Sequence, residues 1–121
     1  MLILSRIGDD TLATLYQHAA FCLFPSLYEG YGLPVIEGFS YGKAIIASTG
    51  GALPEVIGDL SPCLDPHDEQ AWYDAIKAWI EQPAARAQYE AAIRERFRPI
   101  PWKEAAEEFF RLLDTELSVS R

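Results

Sequence analysis

Two short segments, the apolar run Ala20-Phe21-Cys22-Leu23-Phe24 and Lys43-Ala44-Ile45-Ile46-Ala47, apolar after its lysine, constrain this chain more than any other feature. Neither alternates apolar with polar residues, so each predicts a strand buried on both faces. Each leads into a glycine-containing turn and then a segment suited to a helix. Strands that alternate with helices across connections of a few residues predict a parallel α/β sheet.

The remaining segments fit that alternation. Leu2-Ile3-Leu4 predicts a short strand, and Asp9-Asp10-Thr11 a cap for a helix with Leu12, Leu15, Tyr16 and Ala19 on its apolar side. Leu33 to Tyr41 predicts a short helix with Pro34 in its first turn, stopped by Gly42. A brief helix over 53–57 and a weak strand over 61–64 follow. Asp68 then caps a helix with Ala71, Trp72, Ala75, Ile76, Trp79 and Ile80 on one stripe. Pro83 breaks it, a polar helix covers 84–97, and a last helix covers 102–117. Trp72, Trp79 and Phe110 are the aromatic candidates for the core. With 121 residues and no repeat or linker, the chain is a single domain.

Charge narrows the ligands. Eighteen Asp and Glu against ten Lys and Arg leave a formal net charge of -8, which repels nucleic acid. A small phosphorylated ligand stays open to it, because backbone amides at a helix terminus hold an anion locally. Cys22 and Cys63 predict buried free thiols, and with His18 and His67 they share no zinc-ligand spacing. No metal site is expected. No apolar run approaches the roughly 20 residues of a membrane span, and Met1-Leu2-Ile3-Leu4 lacks the basic flank and cleavage site of a signal peptide. A soluble, cytoplasmic chain is therefore expected.

The chemistry concentrates in Phe24-Pro25-Ser26-Leu27-Tyr28-Glu29-Gly30-Tyr31-Gly32-Leu33-Pro34-Val35-Ile36-Glu37. A strand ends, two glycines permit a tight turn, and a helix begins. This places free helix N–H groups, from about Leu33 onward, at the carboxyl end of the sheet, where a diphosphate is the natural anion. Glu37, about one turn into the helix, can accept hydrogen bonds from two vicinal hydroxyls such as those of a ribose. Glu29 sits before the turn, on the side of a group attached to the diphosphate. Ser26 is expected to satisfy backbone groups in its own turn, and Glu55 to be an ordinary first-turn helix acid. Tyr28 and Tyr31 could either stack on a base or rim the crevice.

Pro25-Ser26, Glu29-Gly30-Tyr31-Gly32-Leu33-Pro34 and Glu37 resemble the signature of retaining glycosyltransferases of family 4, whose two glutamates stand seven residues apart. Gly42-Lys43-Ala44-Ile45-Ile46-Ala47-Ser48 is similar to that family's G-x-P-V-I-A-S segment, with Ala44 in place of proline. Gly50-Gly51-Ala52-Leu53-Pro54-Glu55-Val56-Ile57 resembles its G-G-x-P-E-V loop. Leu64-Asp65-Pro66 and the terminal helix with Trp102 agree in kind and order. The resemblance implies a partial Rossmann-like sheet, the C-terminal domain of the GT-B arrangement, with flanking helices and a C-terminal helix. It implies a UDP- or GDP-linked sugar donor, a carbohydrate or lipid-linked acceptor, and no cofactor or bound metal. By that resemblance Glu29 is the catalytic-side residue, contacting the transferred sugar, and Glu37 binds the ribose. The turn Gly30, Tyr31, Gly32 and Leu33 receives the diphosphate through its amides.

The family's domain also carries further βα units with an Arg and a Lys for the phosphates, and a whole acceptor-binding domain. Here Arg6 is the one Lys or Arg before Glu29. The expectation is an incomplete nucleotide-sugar-binding domain over residues 1–121, inactive by itself and membrane-peripheral or cytoplasmic in the complete enzyme. The alternatives are a non-catalytic nucleotide-sugar-binding module and an interaction domain whose turn is only structural. Trp102, Ala105, Ala106, Phe109, Phe110, Leu112, Leu113 and Leu117 exceed one apolar stripe, so self-association through the terminal helix or an open sheet edge is expected.

Overall fold

A computed structural model describes residues 1–99 and 102–119. Helix α1 (Asp9–His18) leads to strand β1 (Cys22–Phe24), helix α2 (Leu33–Ser40) to β2 (Ile45–Ser48), and helix α3 (Leu53–Ile57) to β3 (Cys63–Leu64). Helices α4 (Glu69–Glu81), α5 (Pro83–Arg96) and α6 (Trp102–Val119) complete the chain. The three strands pair in parallel in the order β1-β2-β3, with Leu23 opposite Ile46 and Ala47 opposite Cys63. The expected α/β class with flanking helices is what forms.

Strand β2 is the centre, and all four of its residues are buried. Its alternating side chains divide the core. Ile45 and Ala47 face Val35 and Phe39 of α2, Leu53 and Ile57 of α3, and Ile93 of α5. Ala44 and Ile46 face Trp79 of α4, with Phe21, Trp72, Ile76 and Tyr89 around it. Helix α5 thus serves both layers, with Tyr89 on one and Ile93 on the other. Phe21 meets Trp79 edge-on at 5.4 Å between ring centroids, a favoured aromatic geometry. Helix α2 lies so close to β2 that a Cβ on Gly38 would come within 2.6 Å of Ile45 Cδ1.

Several expectations are corrected. Leu2-Ile3-Leu4 is not a strand but exposed chain, since strand hydrogen bonds need a partner and β1 pairs with β2 alone among the described residues. Strand β1 is consequently an edge, and Leu23 is exposed instead of buried on both faces. The cap of α1 is Gly8, with Asp9 and Asp10 inside the first turn, where their charge favours the helix dipole. Ile80 and Phe110 are exposed rather than core, at 63% and 64%, whereas Trp79 is buried and Trp72 packs against it. Both cysteines are free and half-buried, and burial pushes both thiols up. Among the described residues, no helix is long and apolar enough to cross a membrane.

Candidate functional site

Two loops leave the carboxyl ends of neighbouring parallel strands, residues 25–32 after β1 and 49–52 after β2. In an open parallel sheet that end is where ligands bind. The first loop must turn into α2, and Gly32 makes the turn in the left-handed region at φ 65° as the cap of the helix. A side chain there would also meet Leu53 Cδ2 of α3 at 3.3 Å.

The second loop braces the first. The Ala52 N–H donates to the Glu29 carbonyl at 3.0 Å, and the Ser48 hydroxyl donates to the Ser26 carbonyl. Gly50 sits so near that a Cβ would stand 2.5 Å from the Ser26 carbonyl oxygen. Gly51, at φ 60°, lies against the Glu29 backbone, and a Cβ there would collide with the Glu29 carbonyl oxygen. The Gly-Gly pair is required because two backbones approach without room for side chains. Ser26 donates its hydroxyl to the Tyr28 carbonyl at 2.8 Å, satisfying its own turn as expected.

The structure therefore brings the predicted residues to one end of the sheet. Glu29 is half-buried in the braced loop. Glu37 is exposed on α2, just beyond its first turn. Tyr28 and Tyr31 stand out at 78% and 79% exposure on either side of Glu29 and Gly30, with Leu27 and Leu33 also exposed. The free amides at the helix terminus are fewer than expected. Pro34 has no N–H, and Val35 and Ile36 both donate to the Gly32 carbonyl at 3.0 Å. Among the described residues the Leu33 N–H is the first-turn donor left for a ligand. Glu55 lies exposed in the first turn of α3, an ordinary helix acid. No group of three His, Cys, Asp or Glu is placed to hold a metal ion among the described residues.

Sequence reasoning overlooked two contributors. The bracing role of Ser48 and Gly51 had a visible signal, an adjacent glycine pair immediately after a strand. Tyr16 had none, since its spacing on α1 marks it only as apolar. Its hydroxyl donates to the Pro34 carbonyl at 3.3 Å. Burial first, and then the Glu37 charge, push the Tyr16 phenol up to about 12.

An α/β domain with two interlocked loops at the carboxyl end of a parallel sheet, one opening a helix between two glutamates, belongs to the Rossmann-like class. More particularly, the family model of glycosyl transferases group 1 matches residues 1–96, and the chain belongs to that family. It is 42% identical over 79 residues to O-antigen chain mannosyltransferase B of Escherichia coli, covering 65% of this chain and 20% of that protein. It is 33% identical over 113 residues to the serotype-specific mannosyltransferase WbdA of Escherichia coli, covering 90% of this chain and 14% of that one. Among solved structures, sucrose-phosphate synthase from Thermosynechococcus elongatus matches at a TM-score of 0.72 and 25% identity, over 96% of this chain and 30% of that one. The Rossmann-like GT-B arrangement expected from the sequence agrees with that match. The chain thus spans a fifth or less of these two mannosyltransferases.

Proposed function

We propose that this chain is the C-terminal donor-binding part of a retaining glycosyltransferase of family 4, taking its sugar from a nucleotide-sugar donor and passing it to a carbohydrate or lipid-linked acceptor. The observation that carries this reading is the bracing of the Glu29 loop by the Gly50-Gly51 turn, at the same end of the sheet as Glu37 and the Leu33 amide. In it Glu37 accepts from the ribose diol, the turn from Gly30 through Tyr31 and Gly32 to Leu33 receives the diphosphate, and Glu29 contacts the transferred sugar. As the glycosidic bond breaks, negative charge grows on the departing diphosphate. A fixed backbone donor at a helix terminus stabilises that charge more in the transition state than in the ground state. No cofactor or metal is required in this scheme.

The names of the relatives make mannose-linked nucleotides, with UDP or GDP, the first donors to test. Because the chain spans so little of those proteins, turnover is assigned to the complete enzyme, cytoplasmic or held at a membrane surface. This segment binds donor without completing transfer. Glu37→Ala should weaken UDP or GDP binding by about 1.5–3 kcal/mol, the range for charge-assisted hydrogen bonds. Calorimetry showing unchanged affinity for both nucleotides would remove Glu37 from the ribose site.

A further inference from the structure

The rings of Tyr28 and Tyr31 take no part in holding the loop that carries them. Backbone groups do that: the Tyr28 carbonyl accepts from the Ser26 hydroxyl at 2.8 Å, and the Glu29 carbonyl accepts from the Ala52 N–H at 3.0 Å. Gly51 packs on the Glu29 backbone from the second loop. Both rings are exposed, Tyr28 directly before Glu29 in the chain and Tyr31 two residues after it. Among the described residues neither hydroxyl has a hydrogen-bond partner, and neither ring meets another ring. A single exposed tyrosine is ordinary. Two on one fixed loop, on either side of a carboxylate assigned to a sugar, form a surface ready for a ligand.

We infer that Tyr28 and Tyr31 form a stacking platform for a pyranose ring of the acceptor, beside the sugar being transferred. The inference rests on the donor site proposed above. There Glu37 takes the ribose, the turn to Leu33 the diphosphate, and Glu29 the transferred sugar. The base is bonded to the ribose, so the ribose and both phosphates separate it from Glu29. It therefore lies away from Tyr28, the chain neighbour of Glu29. The acceptor, by contrast, must come from solvent to the transferred sugar itself. A pyranose presents C–H groups on its faces and hydroxyls around its edge. A tyrosine matches both, since the ring face takes the C–H groups and the free hydroxyl exchanges hydrogen bonds with the edge. A neutral partner also suits a chain of net charge -8 that places Glu29 and Glu37 at this end of the sheet. Because the loop backbone is fixed beforehand, stacking orders the two rings and little else.

The test uses the 121-residue chain saturated with GDP or UDP, whichever binds the tighter. Mannotetraose, maltotetraose and cellotetraose are titrated in turn while the tyrosine ring resonances are followed by NMR. At least one should shift the rings of Tyr28 and Tyr31, each recognised by its loss in the alanine variant. Tyr28→Ala and Tyr31→Ala should each weaken that sugar about five- to tenfold, whereas Tyr28→Phe keeps the ring face and should cost about twofold. Calorimetry should show unchanged nucleotide affinity in Tyr28→Ala, and urea unfolding an unchanged midpoint, because the ring is exposed. Weaker nucleotide binding by Tyr28→Ala puts the ring on the base or phosphates and overturns the inference. A loss seen with the mannose-linked nucleotide, but not with the nucleotide alone, puts it on the donor's own sugar and overturns it as well. Tetraose binding undiminished in either alanine variant, or no ring shift with any tetraose, also overturns it, as does a response to dodecylphosphocholine micelles alone. In these last cases nucleotide binding survives, and the donor site stands. If the unsubstituted chain binds neither nucleotide, the donor site itself fails and the platform falls with it.

Discussion

Gly51 is the residue on which the geometry of Glu29 most depends. It combines a positive φ with a backbone approach that leaves no space for a methyl group. Gly51→Ala should therefore cost about 1–3 kcal/mol, the usual toll for forcing volume into a packed contact, with backbone strain in addition. Urea unfolding measures this, and a loss below about 0.5 kcal/mol would mean that the two loops are not locked. Gly58 offers an internal comparison, because it too has positive φ but nothing within 4 Å of a Cβ. Gly58→Ala carries the strain without the collision, and should cost less. At this scale the sequence made Glu29, Glu37 and the glycine pair visible, since turn residues and carboxylates announce themselves by type and spacing. It could not show Tyr16, whose partners lie 18 to 25 residues further along and are set only by the packing of α1 on α2.

Elements were legible wherever a local signal fixes them. Leu33–Ser40 and Leu53–Ile57 begin with proline in the first turn, and α4 begins at the predicted Asp68, whose carboxylate accepts from the Ala71 N–H at 3.0 Å. Asp68→Ala should cost about 1 kcal/mol, the common value for losing a helix cap. Since α4 supplies Trp72, Ala75, Ile76 and Trp79 to the second core layer, the loss should appear in global unfolding rather than as local fraying. A change in far-UV signal with an unaltered urea midpoint would contradict that coupling. What local signals could not tell was the neighbourhood of each element. The apolar run of β1 looks the same whether the strand is central or at an edge, and only pairing decides that Leu23 is exposed. Phe110 fits a helical stripe equally well facing core or solvent.

At the scale of the whole molecule, several apolar side chains among the described residues are exposed. On α6 the side chains of Leu112 and Leu113 are 54% and 40% exposed, while those of Trp102, Ala105, Phe109 and Leu117 lie outside the described residues. Leu2 and Ile3 are exposed as well, and β1 presents a free edge among the described residues. Exposed apolar side chains and an open strand edge favour association, and we propose that the isolated chain self-associates. Sedimentation at micromolar concentration should show a species heavier than the 13.6 kDa chain, and a clean monomer would contradict it. The central claim concerns the other end of the sheet, where the loops after β1 and β2 meet. Its most direct test is an amide NMR titration of the chain with GDP and UDP. The account predicts the largest shifts at Gly30, Tyr31, Gly32 and Leu33, extending to Glu37. Shifts confined to α4 or α6, or no shifts with either nucleotide, would contradict it.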